Sequence, residues 1–256
     1  MLYDFDENKD AIINPSSFID KIENIPEVAI ACFSKTLFDK IVEGTKCVEI
    51  GHLSNTNGEK KIYEIEYKGK RLVLFMVGVG APMAVADLED LHAMGCKKFI
   101  IFGNCGVLDR NIEDCSIIIP TKAFRDEGTS YHYQEESDMI DIDLKYEEKF
   151  LEILDKYKFE HTKGYTWTTD AFFRETPEKI EYFKKNGAVC VEMEGAVIAA
   201  VCKRLGLDYF TFYYAGDNLD STEWDERSLS GLTNIDKKKE VMLLALELAV
   251  EMSRGE

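Results

Sequence analysis

Three carboxylates stand at the ends of apolar runs rather than on a polar face. Residues 189–220 read VCVEMEGAVIAAVCKRLGLDYFTFYYAGDNLD: an apolar strand, a turn with Glu192 and Glu194, a helix, a second apolar strand, and Asp217 in a Gly-Asp-Asn turn. In an open α/β sheet, ligands bind at the carboxyl ends of the strands. Glu192 and Glu194 are two residues apart, so an extended backbone places both on one face, with Met193 opposite. Two like charges on one face need something to bridge them, and a sugar diol or a metal would serve. None of the four histidines is beside these acids in sequence, so no metal site is expected. Glu194 is read as a ligand contact. For Glu192, bracing a buried donor weighs as much as touching a ligand. Asp217 ends an aromatic run, where a carboxyl group can have a raised pKa and act as a general acid; taken alone, it reads first as an Asx-turn residue.

Two glycine turns lie upstream. GVGAP (78–82) follows an apolar run and would let a ligand approach the backbone near Gly80; it lacks the third glycine of a dinucleotide fingerprint. In GNCG (103–106), Gly103, Asn104 and Gly106 would expose amides in a nest for an anion or polar group. A plain strand-to-helix turn is equally compatible with either. Phe172 and Phe173 either stack on a ring or fill the core. Residues 121–143 lose periodicity and read as a long functional or mobile loop, in which Tyr131, His132 and Tyr133 suggest a base or lid contact.

The elements that must position these residues alternate. Apolar strands at 28–33, 72–77, 99–102 and 116–120 are interleaved with helices near 36–43, 83–94, 146–157, 177–185 and 235–252. Residues 45–70 suggest strands with turns at Asn57-Gly58 and Lys68-Gly69. Continuous apolar runs mark strands covered on both faces, so the expected fold is α/β, a mostly parallel sheet flanked by helices. With no linker or repeat in the 256 residues, a single domain is expected, 1–27 being an N-terminal arm.

Composition narrows the partners. With 45% apolar and 31% charged residues the chain is an ordinary globular one, and its net charge of -17 disfavours nucleic-acid polymers and anionic membrane surfaces. Seven cysteines without CxxC pairing, an acidic start without an apolar leader, and no membrane-length apolar run point to the cytoplasm.

Taken together, VEMEGA (191–196), FIIFGNCG (99–106), TTDAFFRE (168–175) and AGDN (215–218) resemble the nucleoside phosphorylase family, the purine nucleoside and uridine phosphorylases and related nucleosidases. The resemblance runs from residue 28 to the end of the chain and implies that family's mixed sheet. It implies that Met193 and Glu194 hold the ribose, Phe172 flanks the base, and Asp217 protonates a purine N7. It further implies a small-molecule nucleoside as substrate, phosphate as co-substrate with no other cofactor, and a homo-oligomer, dimer or hexamer. The chain departs from the pattern at the phosphate. CFSKTLF (32–38) lacks the expected Gly and Arg, Ile101 stands in place of a second Arg, and Asn104 replaces a Ser or Thr. Lys35, Arg125 and Arg174 are the candidate substitutes. Residues 1–51 contain no histidine to lend to a neighbour's site, and 164–190 contain no Gln to read a pyrimidine. The expectation is therefore cleavage of a nucleoside's glycosidic bond, purine favoured over uridine, by phosphorolysis on the resemblance or hydrolysis on the absent arginines. The alternative is a non-catalytic nucleoside-binding or storage protein on the same fold.

Overall fold

All three acids hang from one sheet in the computed structural model, which describes residues 5–8, 11–55, 58–220, 223–230 and 232–254. Its strands are β1 (Val28–Cys32), β2 (Cys47–Asn55), β3 (Gly58–Tyr67), β4 (Lys70–Met76), β5 (Lys98–Val107), β6 (Ile117–Asp126), β7 (Met139–Asp141), β8 (His161–Thr169), β9 (Ala188–Glu192) and β10 (Asp208–Asn218). The helices are α1 (Lys35–Gly44), α2 (Ala81–Met94), α3 (Glu147–Tyr157), α4 (Pro177–Lys185), α5 (Gly195–Leu205) and α6 (Ile235–Met252).

β5 is the pivot. β10 runs parallel to it from Lys98 to Val107 on one edge, while the other edge serves β1 over 98–102 and β9 over 106–107. Because β10 also pairs with β6, the pairings β5–β10–β6–β8–β9–β5 close into a ring, from which β1, β4, β3 and β2 extend outward. The sheet is mixed: β1, β4, β5 and β10 are parallel, and so are β6, β8 and β9, whereas β2–β3–β4 is an antiparallel meander. Lys68 and Gly69, both at positive φ, make the tight turn between β3 and β4. Asn57 lies outside the described residues, as do 1–4 and 9–10 of the arm.

Alternation along the buried strands feeds two apolar layers. Ala29, Ala31, Val73, Phe75, Phe99 and Ile101 face α2 and α5; Ile30, Leu74, Ile100, Phe102, Phe210 and Phe212 face α1, α3 and α6. The arm is tied to the first layer by Ile19, Ile22 and Ile25, and the Ile22 amide donates to the Met94 carbonyl at 3.0 Å. Among the described residues no helix is long and apolar enough to cross a membrane.

Two expectations are corrected. The segment 121–143 is not a long loop: β6 runs through Asp126, a helical turn follows at Ser130–His132, and β7 returns to pair with β6. A buried cation organises it. The Arg125 guanidinium donates to Ser130 Oγ at 2.8 Å, Ser137 Oγ at 2.8 Å and the Glu135 carbonyl at 2.6 Å, and lies 4.0 Å over the Tyr131 ring. Polar bonds hold this segment, so apolar periodicity had nothing to report. GNCG, likewise, is not a turn. It is part of β5, paired residue by residue with β10, and neither Gly103 nor Gly106 has the positive φ that a nest requires.

Candidate functional site

A cavity of about 740 Å³ opens at the carboxyl ends of β5, β9 and β10. It brings together Asn104, Gly106, Glu192, Met193, Glu194, Asp217 and Phe172, and it leaves out Gly80 and Arg174. Phe33, Val79 and Val191 make apolar wall on the strand side; Phe173, Leu219, Trp224 and Leu229 make it on the loop side.

Glu192 and Glu194 do not share a face. β9 ends at Glu192, the chain bends, and α5 begins at Gly195. The carboxylate of Glu192 folds back over the start of α5 and is fully occupied. Its Oε2 accepts from the amides of Glu194 at 2.7 Å and Gly195 at 2.6 Å; its Oε1 accepts from the hydroxyls of Thr166 at 3.0 Å and Thr168 at 2.7 Å. A carboxylate has about four acceptor sites, and all four are used. Glu192 therefore braces the turn with all four acceptor positions while also lining the cavity. The Thr168 hydroxyl completes the cap by accepting from the Ala196 amide at 2.9 Å. Negative charge at a helix N-terminus is favourable.

Glu194 points the other way, across the cavity toward the start of α2. Its Oε1 accepts from the amide of Gly80, the residue before α2, whose φ of 93° suits glycine alone. Gly80 thus spends its N–H on Glu194. The turn before it is held in the same manner, because Asp87 accepts from the Gly78 amide at 2.7 Å and from Lys60. Burial, and secondarily the Glu192 charge, pushes the Glu194 carboxyl up to about 8. One buried acid that takes a proton near neutrality, beside a saturated one, can either donate to or accept from a hydroxyl.

Asp217 reaches the cavity through a β-bulge. β10 pairs Ala215 with Cys105 and Asp217 with Gly106, leaving Gly216 as the extra residue. A Cβ on Gly106 would stand 3.2 Å from Asp217 Oδ1 and 2.5 Å from Leu219 Cδ1, so this glycine makes room for the acid rather than exposing an amide. Asp217 Oδ2 accepts from the indole of Trp224 at 2.8 Å. Burial raises the Asp217 carboxyl above its ordinary value, opposed by the Trp224 bond. Glu175 lines the same cavity, and burial, followed by the Asp217 charge, lifts it to about 7. Sequence reasoning missed Glu175 and Trp224. Glu175 closes the TTDAFFRE motif, and an isolated Trp in a polar, turn-rich stretch was the signal for the other.

No lysine or arginine lines this cavity among the described residues. Lys35 is exposed on α1 and paired with Asp39, Arg174 is exposed on the turn Phe172–Arg174, and the Arg125 guanidinium is consumed inside its own segment. Ile101 is buried in the α2/α5 layer. None of the candidate substitutes reaches the site. Tyr131, His132 and Tyr133 are not there either: Tyr131 is buried under Arg125, and Tyr133 bonds Glu89 at 3.2 Å.

The chain matches the Phosphorylase superfamily over residues 27–251. It is 27% identical over 184 residues to the guanosine phosphorylase of Halorubrum lacusprofundi, covering 72% of this chain and 75% of that one. To the DeoD-type purine nucleoside phosphorylase of Caldanaerobacter subterraneus it is 26% identical over 222 residues, covering 84% and 90%. The fold is shared with the crystal structure of uridine phosphorylase from Vibrio fischeri at a TM-score of 0.75 and 19% identity, over 91% of this chain and 95% of that one.

Proposed function

The chain belongs to the Phosphorylase superfamily, and we propose that it cleaves the N-glycosidic bond of a nucleoside, purine favoured over uridine, passing the pentosyl group to phosphate. What carries this reading is one observation: Glu194 and Asp217, two acids with raised proton affinity, stand in one largely apolar cavity. Breaking a glycosidic bond needs a better leaving group and a sugar held while it becomes cationic. Asp217 supplies the first need by giving its proton to the purine N7 as the C–N bond breaks, so that the base leaves neutral. Met193 and Glu194 supply the second at the ribose, and Phe172 lies against the base. Glu192 takes part only by fixing the turn that presents Glu194.

A second reading is favoured by a specific observation. With no cation on the cavity wall among the described residues and the amides at 194–196 already bonded to Glu192 and Thr168, a phosphate dianion has no charged partner there. Water is then the acceptor, and the reaction is hydrolysis. The exposed apolar rim, Phe173 at 87% and Trp224 at 59% exposure, supports a homo-oligomer as the working state.

One assay tests all of this. Inosine, guanosine, adenosine and uridine are incubated with and without phosphate, and free base is followed by chromatography. Purine release that requires phosphate is phosphorolysis; equal release without it is hydrolysis. Binding without release under either condition overturns the enzymatic reading in favour of a nucleoside-binding protein.

A further inference from the structure

Residues 223–230, after β10, fold back on it as a strap. The Asn218 amide donates to the Asp225 carbonyl at 2.9 Å, and the Asp225 amide returns a bond to Asn218 at 3.3 Å. Farther on, the Ser228 amide donates to the Gly216 carbonyl at 3.0 Å, and the Ser228 hydroxyl, buried, donates to Asp114 at 2.7 Å. The backbone is thereby fixed on both sides of the acid, and Trp224 is set opposite Asp217. Trp224 is 59% exposed at the rim, yet its N–H reaches the buried carboxyl at 2.8 Å. The indole N–H gives this tryptophan a polar contact beyond its place in the apolar wall. The nearby guanidinium of Arg227 does not compete, because it donates to Asp225 Oδ2 at 3.2 Å and to the Ile112 carbonyl at 2.7 Å.

We propose that Trp224 is a positioning residue for Asp217: its indole N–H fixes Oδ2 from the rim, leaves Oδ1 on the Gly106 side of the cavity, and sets how readily the acid gives up its proton. This rests on the reading of Asp217 as the acid. A neutral N–H donor bonds a carboxylate more strongly than a carboxylic acid, so the indole favours the ionised form. It works against burial, which favours the protonated form. The other groups facing Asp217 are Arg227 and Asp225 of the strap, Glu175 after the turn Phe172–Arg174, and Cys105 of β5. Among the described residues, Trp224 is the one side chain shown donating a hydrogen bond to it.

Two measurements test the proposal. Trp224→Phe keeps the ring and loses the donor. The basic limb of kcat/KM against pH, where a general acid deprotonates, should move upward by about one pH unit. Trp224→Gln, which restores an N–H, should move it back. The second measurement needs no activity. The chain has two tryptophans, Trp167 and Trp224. The wild-type emission minus that of Trp224→Phe therefore isolates Trp224. That difference should titrate with pH in the wild-type chain, and in a parallel pair carrying Asp217→Asn it should not. A pH profile of Trp224→Phe that superimposes on wild type, or a titration that survives Asp217→Asn, overturns the proposal. If no nucleoside is cleaved at all, the fluorescence titration alone decides it, so the two readings fail separately.

Discussion

The hydroxyl of Tyr213 stands 2.6 Å from where a Cβ on Gly195 would be, and Glu192 Oε1 stands 2.8 Å from the same point. The first residue of α5 is thus confined to glycine by the brace beneath it, with a fully buried aromatic ring behind. Gly195→Ala should cost about 1–3 kcal/mol, the usual range for overpacking a rigid site, and should lower activity by displacing Glu194. Gly106→Ala should cost less, because the nearest obstacle is the free end of Leu219. Urea denaturation of both variants checks the order; equal costs would mean that the Glu192–Tyr213 floor yields easily.

Glu192→Ala should be among the most damaging single changes to stability. It strips the amides of Glu194 and Gly195 and two threonine hydroxyls of their acceptor. Buried donors left unsatisfied cost about 1–3 kcal/mol each, so a loss of at least about 3 kcal/mol is expected. Glu192→Gln, which keeps one oxygen, should fall between. A stable Glu192→Ala chain that has merely lost ribose binding would reverse the assignment of Glu192 as a brace.

Asp217→Asn should reduce kcat for purine nucleosides by roughly 10²–10⁴, the contribution of a positioned general acid, with KM little changed. Nucleosides whose leaving group needs no proton should be spared. Steady-state kinetics with a purine nucleoside and an activated glycoside make the comparison, and equal losses on both would point to a structural role.

Stability should fall as pH rises across neutrality. In the folded chain Glu194 is lifted from 4.5 to about 8 and Glu175 from 4.5 to about 7, chiefly by burial. A raised carboxyl binds its proton more tightly when folded. Its contribution is complete below about pH 4.5 and disappears as pH climbs toward the folded value. The slope for Glu194 is at most about 1.4 kcal/mol per pH unit. Urea midpoints between pH 5 and 9 should therefore decline in the wild-type chain, and Glu194→Gln should flatten the decline between pH 5 and 8. Parallel curves for the two would show that Glu194 titrates normally.

Burial in apolar strands was legible in the sequence because continuous runs such as 28–32 and 208–215 have only one comfortable place in an α/β fold. One helix end was legible at Gly95, which follows α2 with a positive φ. Strand-to-strand pairing was not. GNCG looks like a turn locally, and only the approach of β10 makes it a strand. Arg125 hid a strand for a related reason, because a buried cation satisfied by carbonyls and hydroxyls leaves no periodic trace. Of the candidate site, the acids and Phe172 could be read from motif and position. The division of labour between Glu192 and Glu194 could not, since it depends on Thr166, Thr168 and Gly80, which come from other elements. Trp224 is seven residues from Asp217, but their contact follows from the strap's backbone bonds.

The β5–β10 pairing joins residues 98–107 to residues 208–218, more than a hundred positions later in the chain. Pairings of such sequence separation close late, because the loop entropy must be met before the contacts form. A chain emerging from the ribosome presents β5 about a hundred residues before the strand bearing Asp217 exists. Until β10 pairs with β5 the ring cannot close, and the apolar faces it covers stay open to solvent. Refolding should accordingly show α-helical signal ahead of ligand-competent molecules, and the interval between them is when this chain is most exposed to aggregation.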